Sequence, residues 1–334
     1  MGLLFSASIR IAFPSFPLVV LLRDHHQPRL TLHDNGRLYM NVCVTTTTTT
    51  TDDRSETEQP RQRLRPRMCT LRAEPISATT TVTNALIATK APDAVEALRS
   101  ILPRLDKNPH IIILCNGALA VKEQIQQLFH NERMDDPYTV TLASTTHGAY
   151  RQDSNDDDDD DDGLYHVTHA GVGQTFVEEH PSLAQLWDQS GLVASSISPH
   201  EMQRLLWQKL AANCTINPMT AILNCNNGQL IHQPLFQQMK PRVLDEIALV
   251  FAQQQQQSNY DETTQQPLTT QELDTFCRQV IHDTQDNISS MRQDVLQQRP
   301  TEIDYLNGYV VKKGQELGID TPANLELTEL VRQL

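Results

Sequence analysis

Between Trp207 and Gln229 the chain reads WQKLAANCTINPMTAILNCNNGQ, placing Lys209, Asn213 and Asn217 at intervals of four, with Asn227 beyond. On an α-helix, positions i, i+4 and i+8 fall close to one face. One ammonium and two carboxamides then point towards a common spot, leaving Leu206, Leu210, Ile216 and Ile222 to pack elsewhere. Such a face suits a small, oxygen-rich anion. The same spacing also describes a solvated polar stripe on an amphipathic helix. Pro218 disfavours helical geometry at the residue before it, so the helix is expected to end or kink there and re-aim Asn217.

A second segment bears on the choice. It is TEIDYLNGY, Thr301 to Tyr309, preceded by NISSM at Asn287 to Met291. Together with the lysine–asparagine stretch it resembles the ketopantoate reductase (2-dehydropantoate 2-reductase) family. The resemblance runs from Gly2 to the C-terminus, interrupted by low-complexity tracts, and is densest from Trp207 to Leu330. It implies NADPH-dependent reduction of 2-dehydropantoate to (R)-pantoate, a step towards pantothenate and coenzyme A. By resemblance Lys209 is the general acid, whose cation also steadies the developing alkoxide. Glu302 is the family's acidic partner, able to orient the lysine, the substrate hydroxyl and the cofactor. Asn213, Asn217, Asn227 and Ser290 match its substrate-binding positions. Lys90, Asn116 and Ala149 match its NADP contacts, with Asn116 shared between cofactor and substrate. Two alternatives stay open: a reductase of another branched 2-oxo acid, and a non-catalytic relative whose cofactor domain has decayed.

These residues need elements to hold them. Leu3 to Phe13 reads as a short amphipathic helix. Leu18–Leu22, Ala85–Thr89, Ile111–Leu114 and Tyr138–Ala143 read as apolar strands, with helices from about Asp93 and from about Ala120 to His130. Strands alternating with helices argue for a parallel, doubly wound sheet, whose ligands bind beyond the carboxyl ends of the strands. Arg23, Lys90, Asn116 and Ala149 all fall at or just after those ends. Asn116–Gly117 is also an ordinary turn signal. From about Ser198 strand signals give way to helical periodicity. The expectation is an α/β Rossmann-like N-terminal domain over 1–195 and an all-α domain over 196–334. The resemblance makes the latter the 6-phosphogluconate dehydrogenase C-terminal-like type.

A dinucleotide fold should open with a strand and a GxGxxG turn. Here Gly2 fits the third glycine, so the first strand and two glycines are missing from the pattern. A start assigned to an internal methionine and a true truncation both account for this. The first is favoured, because losing a central strand would expose the core of the sheet. Arg23, at the end of the next strand, suits the 2′-phosphate of NADP, where an acidic residue would suit NAD.

Composition narrows the classes further. Net charge is −14, and seven of the negative charges are the run Asp156 to Asp162, so bulk electrostatics disfavour nucleic acid. That run splits a possible hairpin and is expected to be a surface loop. Low-complexity insertions are expected near 45–67 and 153–162, with Arg61, Arg63, Arg65 and Arg67 on a solvated loop. Gln253 to Gln257 is expected to lengthen an inter-helix turn. The six cysteines lack metal-ligand spacing and read as reduced cytosolic thiols. His166 and His169 form an HxxH without a convincing third ligand, so no metal is expected. No apolar run approaches a membrane span, and no signal peptide is evident. A cytoplasmic enzyme, monomeric or homodimeric, is the expectation.

Overall fold

The computed structural model describes residues 19–22, 31–32, 38–49, 62–75, 79–132, 136–151, 165–171, 173–180, 194–257 and 267–334. Gly2, Arg23, the expected helix over 3–13, Arg61 and the aspartate run lie outside these. By its contacts the chain divides into two compact units. One comprises Met1–Thr89, Glu96–Cys115 and Leu128–Pro199; the other comprises Lys90–Val95, Asn116–Gln127 and His200–Leu334. Two short segments of the N-terminal half therefore belong with the helices.

Among the described residues the first unit holds two sheets. In one, β1 (Val19–Leu22) pairs in parallel with β4 (Gln62–Pro75), which pairs antiparallel with β3 (Leu38–Thr49). β2 (Thr31–Leu32) also pairs with β3. The Thr45–Thr49 tract and Arg63, Arg65 and Arg67 thus lie in paired strands, where a loop insertion was expected. Threonine is β-branched and favours extended backbone, so a threonine run propagates a strand that has already begun. On the other side β3 runs parallel to β9 (Tyr165–Gly171), which pairs antiparallel with β8 (Gly148–Arg151). The expected hairpin around the aspartate run is thereby present.

The second sheet has the order β11–β10–β7–β6–β5. β5 (Val82–Ile87), β6 (Leu105–Ile113) and β7 (Thr139–Thr145) are mutually parallel. β7 pairs antiparallel with β10 (Thr175–Glu178), and β10 runs parallel to β11 (Ala194–Ile197). Helices α1 (Ala91–Ile101) and α2 (Ala118–Glu132) make the crossovers. Ile111, Ile112, Ile113 and Leu114 are consecutive and all buried, as a strand covered on both faces requires. The parallel βαβ arrangement is as expected for β5 to β7, whereas β1 joins the other sheet.

The second unit is helical. α3 (Pro199–Leu223) is followed by a 3₁₀ turn at Asn227–His232, then α4 (Pro234–Gln257), α5 (Thr270–Asp283), α6 (Ser290–Leu296), a 3₁₀ turn at Ile303–Tyr305, α7 (Asn307–Leu317) and α8 (Pro322–Arg332). Of the end or kink expected at Asn217, the end is absent: α3 continues as helix through Pro218 to Leu223. Gln253–Gln257 form the last turns of α4 and not a longer inter-helix turn, because glutamine is a good helix former. Trp207, fully buried, packs against Phe251 and Tyr309 with ring centroids 5.4 and 6.1 Å apart. Leu210, Ile216, Ile303, Leu306 and Val310 share that core, so α3 and the Glu302 segment are built on one apolar base.

Candidate active site

Glu302 begins the tight turn that leads into α7; the amide of Tyr305 donates to its carbonyl at 3.0 Å. Ile303 and Leu306 anchor this turn in the core and leave the Glu302 carboxylate buried, 6% exposed. Its Oε1 accepts the Ala91 amide at 3.1 Å and its Oε2 accepts Asn116 Nδ2 at 3.2 Å. Ala91 is the first residue of α1, so the carboxylate meets the positive end of a helix. One side chain thus pins both segments that the helical unit takes from the N-terminal half.

Gly117 makes the approach of Asn116 possible. Its φ is +67°, and a Cβ there would lie 2.8 Å from Tyr305 Cβ and 3.0 Å from the Tyr305 carbonyl oxygen. Only glycine meets both demands at low cost. Further along α2, Glu123 accepts from the Tyr309 hydroxyl at 3.0 Å and pairs with Lys313 at 2.6 Å and Lys312 at 3.1 Å. Burial and the adjacent Glu123 carboxylate push the Tyr309 phenol well above its usual range, keeping it a donor.

Lys90 precedes α1 and extends its ammonium to 2.5 Å from Asp294 Oδ1. The Asp294 side chain is 2% exposed, and the same oxygen accepts Arg299 Nε at 3.0 Å and Nη2 at 2.9 Å. Two cations share one buried carboxylate. Sequence reasoning missed Asp294; the available signal was its place one helical turn after Ser290.

A second polar cluster lies where α3, the Asn227 turn and α6 meet. Thr220 Oγ1 donates to the carbonyls of Ile216 and Asn217, and lies 2.7 Å from Ser289 Oγ. A hydroxyl has a single hydrogen, so Ser289 supplies the one between them. Ser289 is also the N-cap of α6, accepting the Arg292 amide, and this sets Ser290 in the first turn. Arg292 reaches back to Asn224 Oδ1 at 3.0 Å and Asn226 Oδ1 at 2.6 Å, clamping the turn that leads to Asn227. Asn227 is buried, with its amide on the Asn287 carbonyl and its Nδ2 on Thr284 Oγ1 at 2.9 Å. Burial pushes the neighbouring Cys225 thiol up against the opposing pull of Arg292. The cluster takes in the Asn217 carbonyl and the Asn227 side chain, while Ser290 is exposed in the first turn of α6. Thr220, Thr284, Ser289 and Arg292, which hold the cluster, were not foreseen.

Lys209, Asn213 and Asn217 all lie on α3, the first two half-buried and Asn217 buried. Helix α6 links the clusters, with Ser290 at its start and Asp294 one turn on. Ala149 lies on β8 in the first unit, opposite His169 of β9. His169 Nε2 is 2.8 Å from His147 Nδ1, and burial lowers the His169 pKa. Among the described residues no three His, Cys, Asp or Glu side chains are grouped to hold a metal. None of their helices is long and apolar enough to cross a membrane.

The family described as "Ketopantoate reductase PanE/ApbA" matches residues 19–182, and its C-terminal counterpart matches residues 201–334. The 2-dehydropantoate 2-reductase of Vibrio cholerae is 36% identical over 255 residues, covering 75% of this chain and 76% of that protein. The chain belongs to the ketopantoate reductase family. Ketopantoate reductases are oxidoreductases that use a nicotinamide cofactor. A PanE/ApbA family ketopantoate reductase from Ralstonia eutropha shares the fold, with TM-score 0.67 and 21% identity over 98% of this chain and 93% of that one. So does a D-mandelate dehydrogenase solved with NADH and anilino(oxo)acetate, with TM-score 0.63 and 23% identity over 80% and 82%.

Proposed function

We propose that this ketopantoate reductase family member reduces 2-dehydropantoate to (R)-pantoate with NADPH, in pantothenate and hence coenzyme A biosynthesis. The observation that carries the reading is the Glu302 carboxylate, held by the Ala91 amide and Asn116 in the same unit as the Lys209–Asn217 helix. The cofactor domain is assigned to 1–195 and the substrate domain to 196–334. Residues for a nicotinamide cofactor fit by donor chemistry. Lys90 keeps 43% of its side chain exposed despite its ion pair, and Asn116 is half-buried. Each follows the carboxyl end of a parallel strand, where α/β sheets bind ligands. With Gly2, Arg23, Ala149 and Glu302, these residues would hold NADP; Arg23 selects it over NAD by pairing with the 2′-phosphate. When bound, the cofactor supplies the hydride.

The chain's own residues do the rest. Asn213, Asn217, Asn227 and Ser290 hold the substrate carboxylate and hydroxyl with neutral donors. Asn116 serves both substrate and cofactor. Lys209 gives a proton from Nζ to the ketone oxygen, and its charge favours the alkoxide as it develops. Glu302 orients the lysine ammonium and the substrate hydroxyl through lone pairs beyond those used by Ala91 and Asn116. The enzyme is assigned to the cytoplasm, as a monomer or homodimer.

The test is the loss of NADPH absorbance when the purified chain meets ketopantoate. Turnover with NADPH at least tenfold faster than with NADH, and faster on ketopantoate than on other branched 2-oxo acids, is expected. A preference for another 2-oxo acid would move the substrate, and no oxidation under any condition would leave a non-catalytic relative.

A further inference from the structure

Pro218 poses a problem for α3. It has no amide hydrogen, so the carbonyl four residues earlier, on Cys214, loses its helical partner. Cys214 is fully buried, and a buried carbonyl without a donor costs about 1–3 kcal/mol. The gap is filled from another element. Asn307 Nδ2 donates to the Cys214 carbonyl oxygen at 3.0 Å, and the Asn307 side chain is completely buried.

The orientation of that carboxamide is fixed by a chain of donors starting at a carboxylate. Glu246 on α4 accepts the amides of Ala323 and Asn324 at 2.7 and 2.9 Å, capping α8. It also accepts Asn324 Nδ2 at 2.7 Å. An ionised carboxylate can only accept, so the amide nitrogen of Asn324 faces it and Asn324 Oδ1 faces the other way. That oxygen takes one hydrogen of Asn307 Nδ2 at 3.0 Å. The second hydrogen is left for Cys214.

Asn307 is also the first residue of α7 and follows the Glu302 turn directly. The opened carbonyl lies on the stretch of α3 between Asn213 and Asn217. We propose that Asn307 is a positioning residue: it occupies the carbonyl that Pro218 opens and sets the lysine–asparagine helix against the segment that carries Glu302. The proposal rests on the reductase reading above, since it is that reaction which needs the two aligned.

The test is a cycle of Asn307→Ala, Pro218→Ala and the double variant in the full chain, read by ketopantoate kinetics and by hydrogen exchange of the α3 amides. Asn307→Ala is expected to lower kcat/KM for ketopantoate at least 30-fold, while KM for NADPH stays within threefold. Exchange over residues 215–222 should accelerate about tenfold. Pro218→Ala alone should stay within threefold of the parent, because the carbonyl accepts a second donor. In the double variant the backbone amide that replaces the proline nitrogen can serve Cys214, so at least tenfold of the lost kcat/KM should return and exchange should slow again. No recovery in the double variant overturns the proposal, as does an Asn307→Ala protein with altered exchange and normal kcat/KM. If Asn307→Ala yields no folded protein, Asn307→Ser, with one hydroxyl donor, enters the same cycle under the same criteria. A parent chain without ketopantoate-dependent oxidation sinks the reductase reading and the positioning role with it, while the exchange cycle still reports the Asn307–Cys214 contact.

Discussion

At the Glu302 end of the helical unit, one carboxylate gathers partners 186 and 211 residues away, and both are backbone or side-chain amides. At the Asn227 end the bonds that join elements span 57 to 69 residues, and they link hydroxyls and carboxamides, with Arg292 as the clamp. The first cluster places a negative charge where segments converge; the second offers neutral groups beside a helix end. A carboxylate by itself opposes the negative charge that develops on a ketone oxygen, so in the proposed reaction Glu302 acts through the Lys209 ammonium it orients. Neutral donors placed on the substrate carboxylate and hydroxyl, away from the reacting bond, would bind substrate and transition state alike. On the function proposed above, the contrast divides labour: chemistry at one end, holding at the other, with α3 and α6 spanning both.

The largest effect belongs to the residue that should deliver the proton. Lys209→Ala is expected to lower kcat by about 10²–10⁴-fold, the range for a positioned general acid. Near-normal kcat would remove α3 from the chemistry. Glu302→Gln comes next. Glutamine keeps the volume and can still accept the Ala91 amide, but its nitrogen meets Asn116 Nδ2 donor to donor. Loss of one charge-assisted hydrogen bond, about 1.5–3 kcal/mol, corresponds to a kcat reduced by about 10–100-fold. A change in KM for ketopantoate alone would erase the distinction between the clusters.

Legibility in the sequence followed the same division. That Lys209, Asn213 and Asn217 share one helix was readable because helical spacing is local, and Leu210 and Ile216 are buried as that spacing required. Parallel strands β5 to β7 were readable from apolar runs. The Thr45–Thr49 tract misled because composition reads as a polar insertion while its backbone preference is extended. Pro218 did not end the helix, one of the two outcomes expected of it, and the compensating donor is Asn307, 93 residues on. Thr284 carries no signal of its own and Asp294 only its spacing from Ser290; both act by holding another residue. Glu302 was found through the TEIDY resemblance, since no pattern near it reveals Ala91 and Asn116 as its partners.

Two glycines sharpen the geometry at the Glu302 end. Gly117 and Gly318 both adopt left-handed backbone, with φ +67° and +70°. A Cβ on Gly318 would meet nothing within 4 Å, whereas one on Gly117 would collide with Tyr305. Gly318→Ala should cost about 1–2 kcal/mol of stability from backbone strain alone. Gly117→Ala should cost about 2–4 kcal/mol, adding the overpacking, and should lower kcat by displacing Asn116 from Glu302. Urea melts of the two variants measure the difference. Equal losses would mean that Tyr305 yields freely and that the Asn116 turn is not held by it.

The smallest effect tests the other end. Thr284→Val nearly conserves volume, yet removes the oxygen that accepts Asn227 Nδ2 at 2.9 Å and the hydrogen donated to the Val280 carbonyl at 2.6 Å. Asn227 is 7% exposed, so the released amide cannot turn freely to water. A neutral hydrogen bond contributes about 1 kcal/mol, which corresponds to KM for ketopantoate raised about fivefold. With a holding role kcat should stay within about twofold, since weakening substrate and transition state equally leaves the chemical barrier unchanged. Steady-state kinetics separate the two parameters. If kcat falls while KM holds, Asn227 works in the transition state, and the neutral cluster shares the chemistry assigned to Lys209 and Glu302.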